Sequence, residues 1–171
     1  QVAALFYAHV APSGLNGAVQ EVPALPAPST PEGSAGDATW QQAVTTRTWI
    51  DSFSGLAAAA PGTLDLGHQG GWLFLRYREP MPTDYLAVKT RLGGTMLKRS
   101  VAGRDGDVWA DDCVEVRLSG DDGRTNYVFA LSASGAHYDA CNGDTGFTLG
   151  TNDWVVWQEE NENFWTVEMR L

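Results

Sequence analysis

The sequence predicts an all-β fold, an antiparallel β-sandwich of jelly-roll-like character with an extended N-terminal arm. From Thr39 onward, short β-branched or aromatic runs recur about every 10 residues between clusters of Gly, Pro, Asp and Asn. Several of these runs alternate apolar and polar residues with period two, and no long helical period competes with them. The chain has 171 residues, 43% of them apolar. That is enough for one core, and so for one domain or one domain with a tail. No stretch of about 18 apolar residues is present to form a membrane-spanning helix.

Residues 1–37 read as an arm and a linker, and residues 38–171 as the sandwich. Gln1–Val10 is mostly apolar and suits either a strand that docks elsewhere or a frayed terminus. Ala11–Asp37 holds five of the eight prolines together with repeated Gly, Ser and Ala, the composition of an extended or disordered tether unless it lies on a surface. Asp37-Ala-Thr-Trp40 offers an N-cap and one or two helical turns to Ala43. Strands are expected at Arg47–Asp51, Thr63–Leu66, Trp72–Tyr77, Tyr85–Leu92, Asp112–Leu118, Asn126–Ser132, His137–Ala140, Trp154–Gln158 and Phe164–Leu171. In the Asp112 strand, Val114, Val116 and Leu118 make a core face, and Cys113, Glu115 and Arg117 a wet one. Turn residues at Ser119–Gly123 and Ser132–Gly135 make Asp112–Ala140 a three-strand antiparallel meander. Its two cysteines, Cys113 and Cys141, then fall at opposite ends of the outer strands, beyond the roughly 7 Å Cα limit for a disulfide.

Charge narrows the function classes. Eleven Lys and Arg against 21 Asp and Glu give a net charge of −10, a field that repels phosphate backbones, so nucleic acid is not expected as a partner. Every basic residue lies at or beyond Arg47, and the first residue is Gln, the look of a processed polypeptide; export to a secreted, periplasmic or cell-surface location is expected. His9, His68 and His137 lie in no catalytic pattern, and the adjacent carboxylates of Asp111/Asp112, Asp121/Asp122 and Glu159/Glu160 point to opposite faces of a strand. No enzyme is expected. Asp105, Asp121, Asp122 and Asp139, with Asp107, Asp111 and Asp144, gather in loops around the meander. They offer hard oxygen ligands to Ca²⁺, although solvated acidic loops explain them better in so acidic a chain. Of the seven tryptophans, most sit in alternating core runs. Trp109 instead lies in a polar, Gly-containing loop before a strand, where an indole is a lid over the core or a platform for a sugar ring.

The stretch Asp105-Gly-Asp-Val-Trp-Ala-Asp-Asp-Cys-Val-Glu-Val-Arg-Leu118, continued by Gly-Asp-Asp-Gly-Arg-Thr-Asn-Tyr-Val-Phe-Ala-Leu131 and Gly135-Ala-His-Tyr-Asp-Ala140, resembles family 9 carbohydrate-binding modules, within a wider DOMON-like group of β-sandwiches. Asp37–Ala43, Gly71–Tyr77 and Phe164–Leu171 fit the same order. The resemblance implies a non-catalytic module that clamps glycan ends between tryptophans, with structural Ca²⁺. It places one clamp at Trp109 and a hydroxyl-binding carboxylate at Glu115, with Arg124 and Asn126 as further sugar contacts. It covers the first two-thirds of the family pattern, since the strands carrying the second clamp would follow Leu171. The missing strands would leave an open sheet edge, which a partner or the Gln1–Val10 segment of a neighbouring copy could complete. An alternative function is therefore a structural or assembly subunit of an extracellular or membrane-attached complex, with the arm contacting partners. A haem domain using Met96 or Met81 with His68 or Lys98 is a third, and no haem is expected, because core Met and surface Lys are the commoner roles.

Overall fold

A computed structural model describes residues 4–7, 22–26, 36–46, 62–93, 96–119, 124–147 and 154–171. The elements run β1 (Ala4–Tyr7), α1 (Asp37–Trp40), β2 (Val44–Thr46), β3 (Thr63–Gln69), β4 (Trp72–Pro80), α2 (Tyr85–Arg91), a 3-10 turn (Val108–Ala110), β5 (Cys113–Ser119), β6 (Asn126–Ser132), β7 (His137–Cys141), β8 (Val155–Glu160) and β9 (Phe164–Arg170). The strands form two sheets, of order β1-β5-β6-β7 and β2-β3-β4-β9-β8. The all-β class read from the sequence is therefore the observed one, consistent with a β-sandwich. Each sheet belongs to its own compact unit.

In the four-stranded sheet the expected meander is present. Cys113 stands opposite Ser132, Glu115 opposite Ala130, and Tyr127 opposite Cys141. The two cysteines thus lie at opposite ends of β6 and are both free thiols. Burial, with the carboxylate of Glu115 next in importance, pushes the Cys113 thiol up to about 11, so it stays protonated and unreactive at neutral pH. β1 runs parallel to β5, with Leu5 opposite Glu115. Ala4–Tyr7 thus pairs within its own chain, whereas the sequence reading offered Gln1–Val10 to a neighbouring copy.

The five-stranded sheet is asymmetric. Leu64, Leu75, Tyr77, Trp165, Val167 and Met169 are buried on one face. The other face carries a buried ionic row in which Asp65 stands beside Arg76, and Arg76 beside Glu168. Asp65 accepts hydrogen bonds from Thr45 Oγ1 at 2.6 Å, Arg76 Nε at 2.9 Å and an Arg78 guanidinium nitrogen at 3.2 Å. Helix α1 closes this row with Trp40, whose Nε1–H donates to Glu168 Oε1 at 3.0 Å while the Arg76 guanidinium lies 5.0 Å from its ring centroid. Leu25, from the Pro-rich segment read as a tether, is buried in the same cluster with Trp40 and Phe74. Its N–H donates to the His68 carbonyl at 2.8 Å while His68 N–H donates to the Pro23 carbonyl at 2.9 Å, and Gly67 makes room for it: a Cβ there would fall 2.2 Å from the Leu25 side chain.

One expected strand is a helix. Tyr85–Leu92, expected as a strand, carries the β-branched Val88 and Thr90, yet Tyr85–Arg91 forms α2. Leu86, Ala87, Lys89 and Arg91 are good helix formers, and Lys89 and Arg91 in the last turn complement the macrodipole. Packing decides the matter. Tyr85 and Lys89 lie four apart on one face, where Tyr85 Oη donates to Glu160 Oε1 at 2.6 Å and accepts from Lys89 Nζ at 2.6 Å. The expected strand Arg47–Asp51 lies outside the described residues.

Candidate functional site

The loop before β5 is built to hold one indole. Val108 is fully buried against Ala130 and Ala136, with Val101 and Tyr138 packed around them. This plug closes a 3-10 turn through Ala110 N–H to Asp107 O at 3.0 Å. The next residue, Trp109, lies over the row Glu115–Ala130–Tyr138 that crosses β5, β6 and β7. Its Nε1–H donates to Glu115 Oε2 at 2.7 Å, and its ring meets Tyr138 edge-on with centroids 4.8 Å apart. Ala130, in the middle of the row, is small enough to leave space for the Val108 plug. Trp109 itself stays 41% exposed.

Two consecutive aspartates anchor the segment beneath it. Asp111 Oδ1 accepts from Ser100 N–H and Ser100 Oγ, both at 2.7 Å, and Oδ2 accepts from Val101 N–H at 2.9 Å. Asp112 Oδ2 accepts from Lys98 N–H at 2.7 Å. Burial alone would raise the Asp111 pKa, but the bonds from the Ser100 hydroxyl and the Val101 and Ser100 amides outweigh it and bring the group from 3.8 to about 2. A depressed carboxylate stabilises the fold above its unfolded pKa, and the benefit fades as pH falls through its folded value. That shift is worth about 2 kcal/mol. We expect Asp111→Asn to lose about that much at pH 6, and the gap between it and the parent chain to close as pH falls from about 4 to 2. Urea unfolding across that range checks this, and a constant gap contradicts it.

The expected sugar residues are only partly brought together. Trp109 and Glu115 are in contact, but Glu115 does not lie on a wet face. It is 3% exposed, because Trp109 covers it, and its other oxygen accepts from Arg117 Nε at 2.5 Å. Buried and with both oxygens taken, Glu115 fixes the indole rather than presenting a free carboxylate. Asn126 stands opposite Ser119, four residues along β6 from the Glu115 row, or about 13 Å at strand rise. There its side chain accepts from Ser119 Oγ and donates to the Arg124 carbonyl, bracing a turn. Arg124, exposed at the same end of β6, is likewise not brought to Trp109.

Of the proposed calcium ligands, Asp139 is buried and paired with Arg104 at 2.6 Å, and Asp105 lies 3.8 Å from the same guanidinium. A cation there would compete with one already held, so this pair does not fit a metal. Asp121 and Asp122 lie outside the described residues, among which no group of three or more His, Cys, Asp or Glu is gathered to hold an ion.

No family model matches the chain. No curated protein matches it either. Among solved structures it is similar to a crystal structure of a "putative carbohydrate-binding protein" from Bacteroides uniformis, with a TM-score of 0.55 and 20% identity, covering 88% of this chain and 70% of that one. The likeness shows the fold alone.

Tyr138 and Arg117 are the contacts that reading the sequence for chemistry missed. Tyr138 was within reach of it, because the meander register places Tyr138 level with Ala130 and Glu115. Arg117, two residues from Glu115 on one strand face, gave the same signal.

Proposed function

We propose that the chain is a non-catalytic carbohydrate-binding module of the DOMON-like, family 9 type from an exported protein, with Trp109 as its sugar platform. The observation that carries this is the immobilised and exposed indole. Its N–H is tied inward to a buried carboxylate and its ring packs at 62° to that of Tyr138, while 41% of the residue is open to a ligand. Sugar rings stack their C–H faces on such surfaces, and a ring held in advance loses little freedom on binding. The carbohydrate-binding description of the similar Bacteroides protein supports the same reading. The assembly alternative drew on an arm in search of a partner, and the pairing of β1 with β5 in one chain favours the module instead.

The test is titration with neutral oligosaccharides, followed by intrinsic fluorescence and calorimetry. Trp109→Ala is expected to lose about 1–3 kcal/mol of binding, roughly 5- to 150-fold in affinity, with an unchanged far-ultraviolet spectrum. Affinity that survives the substitution contradicts the assignment.

A further inference from the structure

Among the residues whose burial is described, Trp109 and Phe164 are the only Trp, Tyr or Phe residues that are exposed. Phe164 belongs to the five-stranded unit. It lines an open groove of about 630 Å³ between the segment that enters α2 and the turn joining β8 to β9. That volume lies within the range of about 300–1,000 Å³ usual for small-molecule sites. Pro80 and Leu86, the latter 62% exposed, share the wall with Phe164. Asp84, Glu162 and Asn163 line it as well and are exposed, and no Lys or Arg is among the lining residues. We infer that this groove is a second binding site, for a neutral oligosaccharide. The ligand class rests on the carbohydrate reading above, whereas the site rests on its own residues.

The chemistry favours a sugar over other occupants. Phe164 gives an apolar ring for C–H contact, Arg78 backs that ring with its guanidinium carbon 6.0 Å from the centroid, and two carboxylates and an amide offer partners for hydroxyls. The carboxylates repel acidic glycans and phosphate esters. A peptide finds no strand edge to extend. The β4–β9 pairing continues to Pro80 opposite Phe164, Met81 N–H is bonded to Asn163 O at 2.8 Å, and Asn161 Oδ1 takes the N–H groups of Asn163 and Phe164 at 2.9 Å each. These bonds also hold the rim in shape without ligand.

The experiment is amide chemical-shift titration of the ¹⁵N-labelled chain with cellobiose, maltose and mannobiose, with digalacturonate and an Arg-rich octapeptide as comparisons. At least one neutral disaccharide is expected to give saturable shifts in residues 81–87 and 162–164. Those shifts should persist in Trp109→Ala and weaken at least tenfold in Phe164→Ala and in Glu162→Gln, and digalacturonate should bind more weakly. If Phe164→Ala does not fold, Glu162→Gln, at an exposed turn position, still decides. Groove amides silent to all three sugars, or responsive to the octapeptide alone, overturn the inference, as does undiminished affinity in the folded variants. Groove shifts without Trp109 shifts would sink the proposed platform and leave the groove standing; the converse result does the opposite.

Discussion

Asp65→Ala is expected to cost about 3–5 kcal/mol of folding stability, the usual range when one partner of a buried ion pair is removed. Asp65 is 2% exposed and sits where Thr45, Arg76 and Arg78 all donate to it. Alanine would leave the Arg76 guanidinium, in a residue only 8% exposed, without that carboxylate. Its contact with the Trp40 ring would remain, a cation–π interaction worth only about 0.5–2 kcal/mol. Asp65→Leu combined with Arg76→Met should recover much of the loss, because apolar residues of similar volume often replace a buried pair at little cost. Urea unfolding of the single and double variants measures this. A single-variant loss under about 1 kcal/mol would mean that the row is solvated and its charges nearly independent.

Glu115→Ala is expected to damage both the fold and the site. It removes two hydrogen bonds to a charged acceptor, from Trp109 and Arg117, worth roughly 3 kcal/mol together. Sugar affinity should fall by about tenfold as well, although the carboxylate is buried, because an untethered indole must be ordered by the ligand. Glu115→Gln keeps an acceptor for the indole N–H and gives up the ion pair with Arg117, whose side chain is 49% exposed, so it should lose under about 1 kcal/mol and most of its binding should survive. Equal sugar affinity in the alanine, glutamine and parent chains would show that Glu115 has no positioning role.

The fold was legible where periodicity and turn chemistry agreed. Asn126–Ser132 alternates between Gly- and Ser-rich turns, and β6 has those bounds. Tyr85–Leu92 holds both β-branched residues and helix formers, and the contact that decides for α2, Tyr85 with Glu160, spans 75 positions. The placement of Leu25 was hidden for a similar reason. A Pro-rich composition signals a tether, and nothing local reveals that Gly67 leaves a socket for one leucine.

At the site, that Trp109 and Glu115 belong together could be anticipated from the resemblance to family 9 carbohydrate-binding modules. Their roles could not, because alternation assigns a side chain to a face without saying what covers that face. Glu115 lies on the face predicted to be wet, and the Val108–Trp109 turn folds over it. Asp111 was likewise seen as a loop carboxylate, whereas its hydrogen bonds make it the anchor of the segment supporting the platform.

The most direct measurement follows the Trp109 indole N–H resonance while a neutral oligosaccharide is added. The account predicts a saturable shift of that resonance, with the proton still protected from solvent exchange by its bond to Glu115, while the buried indole of Trp40 stays unmoved. A Trp109 resonance that does not respond to any neutral glycan while the rest of the spectrum reports binding elsewhere would contradict it.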